Sequence, residues 1–427
     1  MAVNLDFAGQ RTAYASHGMH SFAARFPPQL ARWGIERFSD LGERVLDPMV
    51  GSGTTLVESR LLGRHGLGVD IDPLARLIAG VKSTPIDPSG LAAGLSAFHA
   101  RARLLFHDLR LAREHGIPFH DAFREVAIPD FPNRDYWFLP NVVEELALLR
   151  HLIDRVGDVT LRRFFYLAFS STIITKSASS VANVRDLAHS RPHRVAPARP
   201  PDVFRAFETR LARLERSMAE FAASSDPRGS ARVIGDDARA LPLPDASVDL
   251  VFTSPPYVNA IDYPRAHKFS LFWLGHALGT SSEAYRDLGR RYIGTDRVPL
   301  ALCRTLARRT SGLGALDRVL DRLADADPRR AGIARQYFDD MARVIAEAGR
   351  VLRPGRHAIV VVCPSTIAGV SVPTHELLAA LGEMSGLLSH VETHSRVLDD
   401  AKRQLPIVRG RFGPGMRTEY VVVLRRT

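Results

Sequence analysis

Apolar and polar positions along the chain follow two different grammars. Between residues 44 and 70 short apolar runs end in acids or glycines. Arg44-Val-Leu-Asp47 reads as a buried strand, Pro48-Met-Val-Gly-Ser-Gly53 as a turn, and 54–62 as a helix closed by Gly63. Gly66-Leu-Gly-Val-Asp70 is a second strand ending in acid. Strand, glycine turn, helix, strand and acid form the opening of a doubly wound α/β sheet. Residues 83–231 abandon that alternation. Their apolar positions recur at helical spacing over 91–111, 142–156, 161–174 and 203–221, with a Ser-, Arg- and Pro-rich loop at 177–201.

The sheet pattern resumes with strands at 231–237 and 247–252, the second running into Thr253-Ser-Pro-Pro-Tyr257. After a mostly helical stretch, 262–330, come a helix at 335–352, Arg353-Pro-Gly355 and a strand at 357–362. A helix at 375–384 and strands near 388–398 and 418–425 complete the series. The expected architecture is one α/β sheet built from 1–82 and 231–427. It is mostly parallel, with an antiparallel C-terminal strand, and carries a large helical insertion, 83–230, and a smaller one, 262–330. The length, 427 residues, suits two or three folding units at ~150 residues each.

No run approaches the ~20 apolar residues of a membrane helix. The start, MAVNLDFAGQR, lacks a charged region followed by an apolar one. A soluble, cytoplasmic chain is therefore expected. Cys303 and Cys363 are the two cysteines, too few for a disulfide framework or a thiolate zinc site, and they fit a reducing compartment. His189 and His193 have ligand-like spacing, but no acid or cysteine stands nearby, and no metal is expected.

Charge sharpens the picture. The formal net charge is +11, and only Lys82, Lys176, Lys268 and Lys402 of the 57 basic residues are lysines. Residues 185–216 carry eight Arg against four acids and 286–335 twelve against six, which accounts for nearly all of the excess. Guanidinium charge concentrated in two segments suits a polyanion such as nucleic acid.

Two constellations carry chemistry. In Asp47-Pro-Met-Val-Gly-Ser-Gly-Thr-Thr55 glycines let the backbone approach a ligand at a helix N-terminus. No Lys follows Gly53, as a phosphate loop requires, and Gly-x-Gly-x-x-Gly is absent. Asp47 would repel phosphates but suits a ligand with an ammonium and a sulfonium. Asp70, with Asp72 two residues on, is placed to accept from ribose hydroxyls. A ligand with both an amino-acid tail and a ribose is S-adenosylmethionine. The second constellation is Thr253-Ser-Pro-Pro-Tyr257, where two prolines end the strand and fix nearby carbonyls. It offers the Ser254 hydroxyl, a carbonyl from Ser254 or Pro255, and the Tyr257 ring, together able to hold a planar exocyclic amine.

Asp-Pro-x-x-Gly-Ser-Gly-Thr-Thr, then Gly-Val-Asp-Ile-Asp-Pro73, then Thr-Ser-Pro-Pro-Tyr257 resembles the S-adenosylmethionine-dependent amino-methyltransferases of DNA. The Ser-Pro-Pro-Tyr form is similar to their cytosine-N4 subgroup; adenine-N6 enzymes more often carry Asp or Asn at the position of Ser254. His20-Ser-Phe-Ala-Ala-Arg-Phe-Pro-Pro28 is similar to the segment that closes their cofactor pocket. The resemblance covers about 20–82 and 231–270. It implies a Rossmann-like methyltransferase domain at 1–82 and 231–427; the insertions match no known family, and 83–230 is the expected unit for target recognition.

The same resemblance assigns Phe26 and Pro27 to flank the cofactor. Asp47, Pro48, Gly51, Ser52, Gly53, Thr54 and Thr55 would hold its methionine part, and Asp70 and Asp72 the ribose. Asp236 or Asp237 would take the adenine amine, and Ser254, Pro255, Pro256 and Tyr257 the target base. Met49-Val50 departs from the family, which often has Phe-Cys or an aromatic pair there. The implied reaction is direct in-line attack of a base amine on the sulfonium methyl, without a covalent intermediate. C5 methylation needs a Cys nucleophile, and neither cysteine sits in a Pro-Cys loop.

The implied partner is double-stranded DNA whose target base is flipped out, with a cognate restriction nuclease in a restriction-modification pair; the sequence says nothing of oligomeric state. Arg265, His267 and Lys268, with Lys176, Arg185, Arg191 and Arg194, are candidate backbone contacts. The alternatives are an RNA enzyme resembling the tRNA guanine-N2 methyltransferases, an adenine-N6 DNA enzyme, and a nucleic-acid-binding protein that keeps the fold without activity.

Overall fold

The computed structural model describes residues 5–173, 181–182, 201–258, 262–398 and 418–427. Nine strands are present among them: β1 (Arg44–Asp47), β2 (His65–Val69), β3 (Ser230–Gly235), β4 (Val248–Thr253), β5 (Leu352–Val362), β6 (Ser365–Ile367), β7 (Val370–Val372), β8 (Leu388–Val397) and β9 (Thr418–Arg426). Seven of them form one sheet in the order β3-β2-β1-β4-β5-β9-β8, and β6 and β7 make a separate hairpin. Strands β3 to β5 of that order are parallel, and β9 runs antiparallel to both β5 and β8. The Rossmann-like α/β fold expected from the sequence, antiparallel C-terminal strand included, is the one observed.

Chain order reverses between β1 and β4, so the carboxyl ends of these two strands flank the crevice where doubly wound sheets take their ligands. Every residue of β4 is buried, as a central parallel strand with both faces covered requires. One face meets helix Pro28–Phe38, where Leu30, Ala31 and Ile35 pack with Val45, Leu250, Phe252 and Ile359. Gly34 permits that approach, since a Cβ there would come within 2.4 Å of the Phe252 ring. The other face holds Leu46, Val69, Val251 and Val360 against Leu320, Phe338, Met341 and Leu377 of helices Gly314–Ala326, Pro328–Val351 and Thr374–Met384.

Arg353-Pro-Gly355, expected between a helix and a strand, lies inside β5. The pairing with β4 slips between Val248↔Leu352 and Leu250↔His357, so a bulge absorbs the proline, which has no N–H to donate, and Gly355 at φ +79°.

The described residues between β2 and β3 form helices, the longest being Pro88–Glu114, Pro140–Asp154, Val159–Ile173 and Val203–Ser224. Phe98 stacks on Phe165 at 4.3 Å within their shared core. Residues 262–330 divide between the helical core, the sheet core and a small separate cluster of Val298, Cys303 and Leu306. Phe269 and Trp273 of helix Tyr263–Trp273 pack on Phe138 beside the helical unit, whereas Ile293, Leu316 and Leu323 join the sheet core. The chain between them, around Tyr292, crosses the crevice. No described helix is long and apolar enough to span a membrane.

Candidate active site

The glycine turn is fixed by its own geometry. Val50 N–H donates to Val69 O (2.9 Å) and Gly53 N–H to Val50 O (2.8 Å). Gly51 and Gly53 have φ of +46° and +80°, left-handed values that glycine takes without cost. At Gly53 a Cβ would also lie 2.8 Å from the Ala79 backbone. Buried Lys82 donates an Nζ hydrogen to Ser52 O and holds the turn from beneath.

Two buried acids flank the turn. Asp47, at the end of β1, accepts from the Thr55 hydroxyl (2.7 Å), the Thr253 hydroxyl (2.8 Å) and Met49 N–H (3.1 Å). Asp70, just past β2, accepts from Gly51 N–H (2.7 Å) and Asp72 N–H (2.9 Å). Asp72 caps helix Pro73–Ser83 through Leu74 N–H (2.8 Å), and its second oxygen meets His267 Nδ1.

Burial raises the Asp47 carboxyl to about 6 against the pull of its hydrogen bonds. Burial and the neighbouring Asp72 charge raise Asp70 to about 7. Asp72 is buried too, but His267 beside it holds it below the ordinary carboxylate value. Desolvation dominates the first two because no cationic side chain stands close enough to offset it.

These groups open onto one cavity of roughly 870 Å³, a figure that includes open solvent at its mouth. Of the residues expected to hold the cofactor, Phe26, Asp47, Pro48, Gly51, Ser52, Thr54, Asp70, Asp72 and Asp237 are on its wall. Ser254 and Pro256, from the loop after β4, are on the same wall. The glycine turn and the Ser-Pro-Pro loop thus share a single crevice at the sheet's switch point.

Other expected residues lie off the wall. Pro27 begins helix Pro28–Phe38, Gly53 packs on Ala79, and Thr55 acts through Asp47. Of the doubled acid, Asp237 lines the cavity, while the Asp236 side chain is 61% exposed. Asp237 is already engaged by Arg239 (2.9 Å), which keeps it ionised. Pro255 is buried away from the cavity. The Tyr257 ring is also off the wall; its hydroxyl lies 3.4 Å from Glu419 Oε1 and receives the Cys363 thiol.

His267, a candidate backbone contact, is buried against Asp72 because a short polar link there stabilises the cap, so it presents nothing to a polyanion. Lys268 sits over the Trp137 ring at 4.4 Å, half-buried, and Arg265 is likewise half-buried. Lys176, Arg185, Arg191 and Arg194, with His189 and His193, lie outside the described residues. No cluster able to hold a metal occurs among the described residues.

The cavity also uses residues that motif reading passed over. Phe22 covers Gly51, whose Cβ would stand 3.2 Å from the ring. Tyr263, Arg291, Tyr292 and Ile293 close the side above Asp70 and Asp72, and Tyr263 and Tyr292 are nearly parallel at 6.5 Å. Their only sequence signal is an aromatic pair 29 residues apart flanking a basic helix, which no spacing rule picks out.

A family model described as DNA methylase, of the N6/N4 type, matches residues 8–79. The type II methyltransferase M.MvaI of Kocuria varians is 28% identical over 399 residues, covering 88% of this chain and 83% of that protein. M.MjaII of Methanocaldococcus jannaschii is 22% identical over 63% of this chain and 64% of its own length. Among solved structures, a SAM-dependent methyltransferase from Methanosarcina mazei aligns over 92% of this chain and 95% of its own at 9% identity and a TM-score of 0.32, a distant likeness. The sequence matches bear out the resemblance to the DNA amino-methyltransferases of the N4/N6 family, with S-adenosylmethionine as cofactor.

The donor set fits that cofactor. Asp47 and Asp70 are buried carboxylates that no Lys or Arg pairs among the described residues, and the turn beside them carries no phosphate-binding lysine. Such a wall suits a cationic ligand with hydroxyl donors.

Proposed function

We propose that this protein methylates the exocyclic N4 amine of cytosine in DNA, using S-adenosylmethionine. One observation carries the reading: Gly51 and Ser52, and Ser254 and Pro256, border the same crevice between β1 and β4. Asp47 would hold the ammonium end of the cofactor, Asp70 its ribose, and Asp237 the adenine edge beside Ile71 and Ala238. Serine at position 254, where adenine-N6 enzymes more often carry an acid or amide, favours cytosine.

When bound, S-adenosylmethionine supplies an electrophilic methyl group. The chain's task is to present a poor nucleophile, since the lone pair of a base amine is conjugated into its ring. The Ser254 hydroxyl and a rigid carbonyl at Ser254 or Pro255 accept the two N–H hydrogens, which localises that lone pair. Positioning of this kind is worth up to ~7–11 kcal/mol in favourable cases. Phe22, Phe26 and Tyr292 line the crevice with aromatic rings, which lowers the dielectric in which the fixed dipoles act. A base within a duplex cannot reach such a crevice, and the target nucleotide is therefore flipped out. The helices of 83–230 stand as the unit that recognises the sequence. The type II names of the relatives suit a partner nuclease.

Labelled methyl transfer to duplex DNA, single-stranded DNA and tRNA, followed by nucleoside mass spectrometry, tests the reading. N4-methylcytosine from DNA is the expected product. N6-methyladenine would move the target to the other subgroup, and label confined to tRNA would overturn the DNA assignment.

A further inference from the structure

Three arginines, Arg25, Arg239 and Arg291, stand on the cavity wall. Two of them already face acids. Arg239 holds Asp237 (2.9 Å) and Asp340 (3.1 Å), and Arg291 lies 3.9 Å from both Asp236 and Asp237. Arg25 has no carboxylate partner among the described residues. It donates to the neutral carbonyl of His17 (2.9 Å), and its charged neighbour is the like-signed ammonium of Lys82. The side chain keeps exposed surface, yet the crevice around it desolvates the guanidinium and lowers it from its ordinary value. Asp47, on the same wall, lies too far off to be lowered by that cation. The neighbours also fix the end of the crevice that Arg25 occupies. Lys82 reaches the Ser52 carbonyl, His17 is bonded to Glu58 on the helix after the glycine turn, and Phe22 covers Gly51. Arg25 therefore belongs to the glycine-turn end, and Arg239 and Arg291 to the end marked by Asp237.

We infer that Arg25 is a cofactor-binding residue that takes the α-carboxylate of the methionine part, an inference that rests on the S-adenosylmethionine reading. An amino-acid tail is a zwitterion and needs a group of each sign. Asp47 answers the ammonium, and Arg25 is the cation of this end of the wall that no protein acid neutralises. A guanidinium offers parallel N–H donors that match the two oxygens of a carboxylate. A DNA phosphate would satisfy the same donors, but the glycine-turn end of the crevice is where the methionine part lies in this reading.

The test is calorimetric titration of the full chain with S-adenosylhomocysteine and with S-adenosyl-3-thiopropylamine, which keeps the amine and lacks the carboxylate. Arg25→Gln removes the charge and retains a donor for His17 O, so the apo variant should melt close to the wild-type temperature. S-adenosylhomocysteine should bind it about 10- to 50-fold more weakly, the loss of one charge-assisted pair, and Arg25→Lys should recover part of that affinity. The decarboxylated analogue should bind wild type and Arg25→Gln within twofold of each other. Unchanged affinity of Arg25→Gln for S-adenosylhomocysteine, or an equal loss for both ligands, would overturn the inference while leaving the cofactor reading intact. Weakened binding of duplex DNA with S-adenosylhomocysteine affinity intact would overturn it too, and would give the guanidinium to a phosphate. Failure of the wild-type chain to bind S-adenosylhomocysteine would sink both.

Discussion

Thr253, the last residue of β4, donates its hydroxyl to Asp47, the last residue of β1, at 2.8 Å across 206 residues of sequence. This bond joins the two constellations, because the glycine turn follows Asp47 and the Ser-Pro-Pro loop follows Thr253. Asp47 keeps two further donors, Thr55 and Met49, yet burial still lifts its carboxyl to about 6. Thr253→Val keeps the shape and removes one of the three. The carboxyl should rise further, apo stability should fall by about 1–2 kcal/mol in urea titrations, and S-adenosylmethionine should bind several-fold more weakly at pH 7. Thr253→Ser should restore both. A valine variant matching wild type in both assays would show that the bond positions nothing.

Asp70 gives a pH signature. Its folded value, about 7, lies above the ordinary 3.8. Below pH ~4 the folded and unfolded chains both hold the proton and no cost arises. As pH rises through 4–7 the unfolded carboxyl ionises first, so the apo fold loses stability, and above 7 the loss is complete. His17 and His20, buried and lowered to about 4 and about 3, slope the other way below 6.5. The wild-type curve alone therefore mixes both trends. Asp70→Asn does not titrate, and its stability relative to wild type should climb across pH 4–7 and then level off. A flat difference curve from denaturant unfolding would refute the raised carboxyl.

A cationic ligand favours the ionised forms of Asp47 and Asp70. Binding of S-adenosylmethionine near pH 6 should therefore release protons, and affinity should improve as pH rises from 5.5 to 7.5. Calorimetry in two buffers of different ionisation enthalpy measures the release directly. Equal apparent enthalpies in both buffers would mean that these acids do not meet the charge.

Much of this was legible in the sequence, for a physical reason. Strands buried on both faces read as apolar runs, and acids or prolines at their carboxyl ends mark where the ladder stops, so Asp47, Asp70 and Ser254 could be placed by pattern alone. Helix Pro28–Phe38 was not read, because Pro27-Pro28 and Gly34 hide a helix whose glycine serves a packing contact with Phe252. Nor was the crevice wall from 263–293. Tyr263 and Tyr292 meet only after helices on either side are sorted into different cores, a tertiary event that leaves no local period. Tyr257 illustrates the converse: an aromatic beside two prolines suggests a stacking face, yet its side chain turns toward Glu419 and Cys363.

The proposed division of labour predicts a kinetic split. Ser254 is half-buried on the cavity wall and makes no claim on the turn that holds the cofactor. Ser254→Ala should lower kcat roughly 10- to 100-fold while S-adenosylmethionine affinity stays within about twofold. Asp70→Ala removes the acceptor that fixes Gly51 N–H and should do the reverse, raising the cofactor Kd by at least tenfold with less effect on saturated turnover. Single-turnover transfer beside equilibrium titration separates the two, and variants with interchangeable profiles would contradict the assignment.

Glu58 ties the N-terminal wall of the crevice to the helix that follows the glycine turn. Fully buried on helix Thr54–Leu61, it accepts from the Tyr14 hydroxyl (2.6 Å) and His17 Nε2 (2.7 Å), and Arg32 lies 3.0 Å from its other oxygen. His17, lowered to about 4 by burial, is neutral at pH 7, so Nε2 carries its hydrogen toward the carboxylate. Removing the carboxylate leaves the Tyr14 hydroxyl and the His17 Nε2–H without their acceptor, at a cost of about 1–3 kcal/mol for each buried group. Glu58→Ala should cost that much in denaturant unfolding, whereas Glu58→Gln, which keeps the Tyr14 and His17 contacts, should cost less. Because Arg25, Phe22 and Phe26 follow directly from this anchor and line the cavity, the alanine variant should also lose cofactor affinity under conditions where it remains folded. Normal affinity in a destabilised Glu58→Ala protein would mean that the wall is held by its contact with the sheet, through Phe26 and Phe252 at 5.5 Å, and not by the acid.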